Sequence, residues 1–414
     1  MLVALGTALL VAGSALAEGP QTTPPSLPSQ VLAPPPAAHA APAAPAYEDE
    51  PSFLETTWGG GPDGQLWVSA EYLVGWFSGD RLPPLATTSP AGTARINAGV
   101  IGGPTTVLFG GNVVNDDTRS GFRLAAGYWF NTERTLGIET SFLMLESQAT
   151  GFAASSNGNP ILARPFFDVT TGLNDSALVA FPGSSSGSLA ARASSGNLLQ
   201  ATVDLTENVI DCKWFRLDSL LGYRYYNYGE GVHIRQSLTN IPNSPGTVFA
   251  SEDDFSAENV FNGGDFGLRA RFAWDTVSLD LLSKLAVGGV NRDVKIVGNS
   301  VTTAPGQATV SREGGLLALS SNIGDYHNHD WALVPELGAT LAWQATPNVR
   351  LTLGYSVLWL DRIARAGDQI DLDVNPTLFP SATGTPVQPR FPLFRDVRND
   401  VSFQTVNFGL EFTY

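Results

Sequence analysis

From residue 66 onward, apolar and polar side chains alternate with a period of two in ten separate segments. That period marks an extended strand with one face in an apolar medium. Residues 120–130 put Phe122, Leu124, Ala126, Tyr128 and Phe130 on one face, and Gly121, Arg123, Ala125, Gly127 and Trp129 on the other. Residues 215–225 set Phe215, Leu217, Leu221, Tyr223 and Tyr225 against Arg216, Asp218, Gly222 and Arg224. Residues 264–274 set Phe266, Leu268, Ala270, Phe272 and Trp274 against Asp265, Gly267, Arg269 and Arg271. The pattern recurs at 333–343, with Glu336 on its polar face, and at 348–360, with Arg350. The last segment sets Val406, Phe408, Leu410, Phe412 and Tyr414 against Asn407, Gly409 and Glu411. Weaker versions lie at 67–77, 135–146, 196–207 and 277–288.

These segments run about ten to thirteen residues, where an average soluble strand has about five or six. A tilted strand crossing a bilayer needs about nine to eleven. Brief gaps (131–134, 208–214, 275–276, 344–347) alternate with long connections at 78–119, 147–195, 229–263, 289–331 and 361–400, rich in Gly, Ser, Asn, Pro and Thr. Outer-membrane barrels have this rhythm of short periplasmic turns and long extracellular loops. The expected fold is all-β: an antiparallel up-and-down transmembrane β-barrel over residues 62–414, about ten strands, with both chain ends in the periplasm. Stretches at 105–114, 231–238 and 293–298 could lengthen strands or add hairpins, which leaves twelve or fourteen strands open. A soluble barrel or sandwich competes, but its wet face should be rich in Lys and Glu. Here that face carries Gly, Ser, Thr and isolated charges that suit pairing in a narrow interior.

Composition narrows the classes further. The chain has 414 residues, 15% charged, 43% hydrophobic, with 43 Gly and 28 Pro. Globular chains average about 25% charged residues. A net charge of −16 argues against a nucleic-acid binder, which needs a basic stripe. The lone Cys212 excludes a disulfide framework. No run of about 18 apolar residues follows the N-terminus, so no helical span is expected. Residues 1–17 read as a signal peptide ending in Ala15-Leu16-Ala17, with a buried N-terminal helix as the competing reading. No Lys or Arg precedes the apolar run, so the expectation is a true start upstream or a misassigned start codon. Residues 18–61 are Pro/Ala-rich and read as a disordered linker.

Aromatic placement gives another expectation. With this topology Phe130, Trp274, Trp343 and Tyr414 form a periplasmic girdle, and Trp76, Tyr225 and Trp359 the opposite one. Aromatics favour strands in any case, but that preference does not place them at both ends.

Several blocks resemble a planctomycete outer-membrane family, putative beta barrel porin-7. They are Leu66-Trp67-Val68-Ser69-Ala70-Glu71-Tyr72-Leu73, the run from Ser120 to Phe130, and Leu220-Leu221-Gly222-Tyr223-Arg224-Tyr225. The resemblance covers roughly residues 64–414, and the order of the blocks is more specific than any one of them. It implies an outer-membrane barrel and carries no catalytic residues. The run Phe408-Gly409-Leu410-Glu411-Phe412-Thr413-Tyr414 looks like the signal that such barrels present to the assembly machinery.

Candidate chemistry is sparse, and no catalytic residue, cofactor or enzymatic activity is expected. Gly183-Ser184-Ser185-Ser186-Gly187 fits G-x-S-x-G but lies in a Ser/Gly/Ala loop without the strand–turn–helix setting. His327 and His329 point the same way in an extended chain, with His233 at the same rim, so they are the metal or rim-hydrolase candidates. Asp361–Asp373 clusters carboxylates without EF-hand spacing and could bind Ca²⁺ adventitiously. The bore is expected to hold Arg123, Arg216, Arg224, Arg269, Arg271 and Arg350 with Glu71, Glu139, Asp218, Asp265 and Glu336. These form either a transverse field selecting small solutes or a paired-charge plug; ten strands enclose little more than side-chain volume. Expected partners are outer-membrane lipid, the barrel assembly machinery and an unidentified ligand of the loops. The functional expectation is a porin-like or structural envelope barrel, with surface binding through loops 147–195, 229–263 and 361–400 as the alternative. Everything rests on apolar faces turned outward; Phe122, Leu268 and Leu353 around one dry centre would overturn it.

Overall fold

The structure, a computed structural model, describes residues 65–242 and 244–414. The expected signal peptide and linker fall within residues 1–64 and lie outside the described residues. Ten strands build the wall: β1 Leu66–Phe77, β2 Arg119–Trp129, β3 Leu136–Leu145, β4 Leu198–Cys212, β5 Phe215–Asn240, β6 Val248–Trp274, β7 Val277–Thr303, β8 Gly324–Thr346, β9 Val349–Ala364 and β10 Arg398–Thr413. Each pairs antiparallel with the next, and β10 pairs with β1 to close the ring. Closure leaves the wall no free edge at membrane depth, as a bilayer requires.

The stagger of the ring follows from its register. From Phe77, successive partners are Phe403, Leu358, Glu336, Lys284, Gly267, Leu220, Thr206, Gly137 and Trp129. The Trp129 amide then donates to the Gln65 carbonyl, so one circuit ends at Gln65 on the chain that began at Phe77. A twelve-residue stagger over ten strands tilts them by roughly 40°.

At the turn end, two-residue connections join β6 to β7 at Asp275–Thr276 and β8 to β9 at Pro347–Asn348. Asp275 takes the positive φ (56°) that tight hairpins favour in Asp and Asn. Both wall termini meet here, the Tyr414 amide donating to the Leu66 carbonyl at 2.7 Å. Strand β4 runs to Cys212, so the turn to β5 is only Lys213–Trp214, shorter than the expected 208–214 gap.

The apolar faces point outward: Phe122, Leu268 and Leu353 are 38, 51 and 47% exposed and line no common dry centre. This holds only for the lower half of the wall. Along β7 the outer face reads Val277, Leu279, Leu281, Ser283, Leu285, Val287, then Gly289, Asn291, Asp293, Lys295. Its inner face reads Ser278, Asp280, Leu282, Lys284, Ala286, then Val290, Arg292, Val294, Ile296. The oily side crosses from outside to inside near Gly288. Val277 to Val287 spans roughly 25 Å of height at that tilt, which matches the hydrocarbon band of outer-membrane barrels. Above it water replaces lipid, so the outer face turns polar and the inner face packs.

The expected loops at 229–263 and 289–331 are therefore mostly strand. β5, β6 and β7 run 26, 27 and 27 residues, and the stretches 231–238 and 293–298 lengthen them. They rise roughly 35 Å beyond the bilayer band. A hairpin of Gln148–Ser156 and Ser185–Ser195 extends this upper wall beside β5. Segments 78–118, 157–184 and 365–397 fold inward. Strands Leu173–Ala180, Leu162–Asp168, Ala86–Thr88 and Thr106–Phe109 form a small sheet there, with Asp373–Val374 parallel to its second strand. Thus within 105–114 Thr106–Phe109 joins this inner sheet and Val113–Val114 pairs with Asp80–Arg81, so neither enters the barrel wall. We call the tall wall and its filling the crown. Its core joins Val232, Ile234, Phe255, Val294 and Ile296 of the wall to Leu82, Phe109, Leu162 and Phe166 of the inserted segments and to Leu316 of the β7–β8 connection.

Candidate functional site

The inner face of β5 reads upward as Arg216, Asp218, Leu220, Gly222, Arg224, then Tyr226, Tyr228, then Glu230, then Val232, Ile234. Four layers follow: a charged bore, an apolar belt, a polar layer and the crown core.

In the bore, Arg224 is fully buried and bonds Asp265 at 3.0 Å and Glu336 at 2.7 Å. Lys284 joins Asp265 (2.7 Å) to Asp204 (2.6 Å). Arg269 reaches across the interior to Glu139 with two bonds of 2.6 and 2.8 Å. Arg271 grips Asp280 bidentately at 2.7 Å, and Arg350 bonds Glu411 at 2.8 Å. Arg216 pairs with Asp218 at 2.9 Å and lies 4.9 Å from the Trp129 ring centroid. Arg123 pairs with Glu71 at 3.2 Å. Every charge expected in the bore lies there, and each cation named here faces a carboxylate. Charge-assisted, often bidentate pairing is what allows such groups to be buried. Sequence reasoning missed Asp204, Asp280 and Lys284. Parity within the weaker segments would have found them, because each alternates with outward apolar residues such as Val203, Leu281 and Leu285. The space left between these side chains is about 180 Å³.

Above the charges, every wall strand except β2 contributes to one apolar belt, including Leu73, Phe77, Leu145, Tyr226, Tyr228, Phe261, Val290, Leu360 and Phe403. Phe77 stacks on Tyr228 at 4.9 Å and meets the tilted Phe403 ring at 5.0 Å, and the Arg119 guanidinium covers Phe77 at 4.7 Å. Nothing in the sequence pattern announced this layer, since Tyr225 to Tyr228 offers an aromatic on either face.

The polar layer knots the crown to the wall. Arg365 bonds Glu230 at 2.7 Å and donates to the carbonyls of Ser78 (3.0 Å) and Gly79 (2.8 Å). Asn259 spans the interior, donating to the Ala364 carbonyl (2.9 Å) and accepting from the Ala364 amide (2.7 Å). Asp80, 3% exposed, lies beside Glu230, Arg365 and Asp368. Burial raises it most, the Glu230 carboxylate adds to this and Arg365 opposes, leaving it at about 7. The unfolded chain loses this proton near pH 4, whereas the folded one keeps it until about 7. Crown stability therefore falls as pH rises through that window and is lowest above it. Asp80→Asn should flatten this dependence and raise the crown's melting temperature at pH 8 relative to wild type, while leaving it little changed at pH 4. Thermal unfolding followed by near-ultraviolet circular dichroism at both pH values checks it.

The remaining candidates are scattered. His327 and His329 lie on the outer face of β8, within 2.6 Å of Asp293 and 2.8 Å of Asn291, turned away from the interior. His233 lies within β5, rather than at a loop start, and faces Asp254 at 3.1 Å. Among the described residues no group of three or more His, Cys, Asp or Glu could hold a metal. The 361–373 carboxylates are taken up by protein partners: Asp371 and Asp373 share Arg395, and Asp368 accepts from Asn399. The 183–187 motif is a hairpin turn, with Ser185 opening a strand and no helix behind it. Cys212 is exposed at the end of β4.

Of the girdle aromatics, Phe130, Trp274, Trp343 and Tyr414 are exposed at the turn end. Trp76, Tyr225 and Trp359 are half-buried on the outer face at the other end. Two more tryptophans share these positions without having been expected: Trp214 in the β4–β5 turn, stacked near Phe272, and Trp331 above Leu333, 69% exposed.

Comparison with known structures returns outer-membrane proteins at low identity. The outer membrane protease OmpT from Escherichia coli is 8% identical with a TM-score of 0.41, over 86% of this chain and 98% of that one. Ail, the attachment invasion locus protein of Yersinia pestis, is 12% identical with a TM-score of 0.22, over 85% and 99%. A mutant of the monoaromatic hydrocarbon channel TodX, from Pseudomonas putida, is 8% identical with a TM-score of 0.21, over 87% and 93%. No curated protein matches the chain. A family model does match, over residues 67–414, the same span that closes the ring and fills it. The chain belongs to the putative beta barrel porin-7 family of outer-membrane β-barrels.

Proposed function

We propose that this barrel is a closed anchor in the outer membrane, holding a folded crown at the cell surface, and that it does not act as a standing pore. The observation that carries this is the apolar belt. It lies across the bore above an ion-paired layer with only about 180 Å³ of free space, and the crown core lies above it again. A hydrated solute would have to break charge pairs, lose its water and force both packed layers open. By the rule for such barrels the short turns face the periplasm and the crown faces outward. The girdle aromatics seat the wall in lipid. The outward Phe408, Leu410, Phe412 and Tyr414 of β10 form the face offered to the assembly machinery. A closed anchor has no catalytic step to perform.

Planar-bilayer recording of the refolded full chain tests it. The expected trace has no steady ohmic steps at 100 mV in 1 M KCl, while the same sample shows the heat-modifiable gel mobility of a folded barrel. Stable conductance steps in every insertion would refute the closed state.

A further inference from the structure

Above the bilayer band the wall is an open sheet, and one of its edges is bare. Lower down, β3 is flanked by β2 and β4. Beyond Leu145 the chain continues upward as Gln148–Ser156, but β2 does not accompany it. The segment entering β2 turns inward at Asn115 (φ 58°), whose side chain meets the inward Thr150. Gln148–Ser156 therefore pairs on one side only, with Ser185–Ser195, in unbroken register. Among the described residues no other backbone group bonds to it. Its sequence, Gln-Ala-Thr-Gly-Phe-Ala-Ala-Ser-Ser, has no charge and no proline, and its ladder has no bulge. Those are the devices that guard natural edges against pairing. The opposite edge of the upper wall, β8 above Glu336, carries Asp325, His327, His329 and Asp330.

The outer face beside the bare edge is a trough of about 590 Å³. Register lays it out in rows. Gly151 stands opposite Arg192, and Arg192 opposite His233; Ala153 stands opposite Ala190, and Ala190 opposite Arg235. The margin next to the edge is thus Ala149, Gly151 and Ala153, and the polar lining, set further in, is Arg192, His233 and Arg235. His233 and Arg235 face Asp254 (3.1 Å) and Glu252 (3.5 Å) on the strand beyond. Arg192 is exposed and pairs with no carboxylate among the described residues. A Cβ on Gly151 would touch nothing nearer than 3.8 Å, so crowding does not require glycine there. Its effect is to leave Arg192 a clear path toward the edge. Neighbouring strands lie about 4.8 Å apart. A residue set opposite Gly151 by an added strand would lie two strand spacings from Arg192, a gap that an arginine and a glutamate span together.

We propose that Gln148–Ser156 is a docking edge for an extended segment of another cell-surface protein. The segment adds as an antiparallel strand in the line of β2, with an acidic side chain over Gly151 facing Arg192 and apolar side chains inward beside Phe152. Backbone bonds give such strand addition its affinity, and alternate side chains its specificity. Residues 1–64 are not the occupant, because they join the wall at Gln65, at the far end of the bilayer band. Nor do identical edges of two copies suit each other: in one membrane both point away from it, whereas antiparallel pairing needs them opposed. This goes beyond the anchor reading, and conductance and strand capture fail separately.

The probe is a fluorescein-labelled peptide, Ser-Val-Thr-Val-Glu-Val-Thr-Val-Ser, titrated by anisotropy into the full chain in lipid nanodiscs, with empty nanodiscs subtracted. Saturable binding at one site per chain is expected. Lysine in place of the central glutamate should weaken it at least fivefold, since opposite charges on facing strands attract and like charges repel. Arg192→Glu should reverse the order of the two peptides. N-methylation of alternate residues along one edge of the peptide should abolish binding, and along its other edge should spare it. In a Cys212→Ser background, Ala153→Cys should form a disulfide with a peptide whose first threonine is cysteine. Ser256→Cys, on the same outer face three strands away, should not. Retained heat-modifiable mobility controls for the wall, and unchanged resistance to trypsin for the crown. Absence of saturable binding overturns the proposal, as do equal affinities for the two peptides or equal effects of the two N-methylation patterns. Chain-to-chain disulfides through Ala153→Cys that exclude the peptide would give the edge to a second copy and overturn it as well.

Discussion

Arg224→Ala is expected to destabilise the barrel by about 3–5 kcal/mol, the scale for stripping one partner from a buried ion pair. Arg224 is wholly buried and meets the Glu336 carboxylate at 2.7 Å. Its loss leaves Glu336 charged in a site closed by lipid-facing strands, and leaves Asp265 with Lys284 alone. Lysine at this position should recover only a fraction of the loss, because it cannot fork onto both carboxylates. Arg224→Leu together with Glu336→Leu should recover most of it, since an apolar pair removes the stranded charge as well as the attraction. Urea unfolding in lipid vesicles, read by gel mobility, gives the comparison. Arg235→Ala is the control, because its pair with Glu252 is 3.5 Å long and exposed, and such pairs contribute about 0–1 kcal/mol. Equal effects of Arg224→Ala and Arg235→Ala would mean that the bore charges are far wetter than their burial indicates.

Asp253→Ala should act on the crown and spare the wall. One Asp253 oxygen accepts the amides of Leu316, Leu317 and Ala318 at 2.9, 2.9 and 2.8 Å. The other meets Arg164 at 2.7 Å, with both side chains almost fully buried. Alanine would orphan three amides and strand a guanidinium inside the crown core. The expected cost is again about 3–5 kcal/mol, but located above the bilayer. Trypsin should then cleave within 78–118 and 157–184 at rates the wild type does not show, while heat-modifiable mobility persists. Asp253→Asn keeps an acceptor for the amides and loses the charge, so it should fall between the two. Collapse of the wall together with the crown would refute the separation of the layers.

The lower wall was legible because lipid and a crowded bore impose opposite chemistries on alternate residues. Phe122, Leu268 and Leu353 therefore declared their face, and Arg123, Arg269 and Arg350 declared the other. The upper wall was not legible. In 248–263 the inner face is Phe249, Ser251, Asp253, Phe255, Ala257, Asn259 and Phe261. Its alternation is broken where Asp253 and Asn259 serve as internal acceptors and donors, and the outer face is as acidic as a loop. Glu252, Asp254 and Glu258 thus read as solvated chain when they decorate a strand. The inner sheet was illegible for another reason: strands of two to eight residues from three separate connections have no period long enough to register.

The crossing of the oily side near Gly288 has a consequence for the journey to the membrane. A newly exported chain carries two greasy surfaces on one strand, Leu281 and Leu285 on the first, Val294 and Ile296 on the second, one destined for lipid and the other for its own kind. In transit both are bare at once, and pairing them with each other would bury grease in the wrong company. Shielding of the bilayer-bound stripe alone would leave the other surface sticky until the wall closes around the crown.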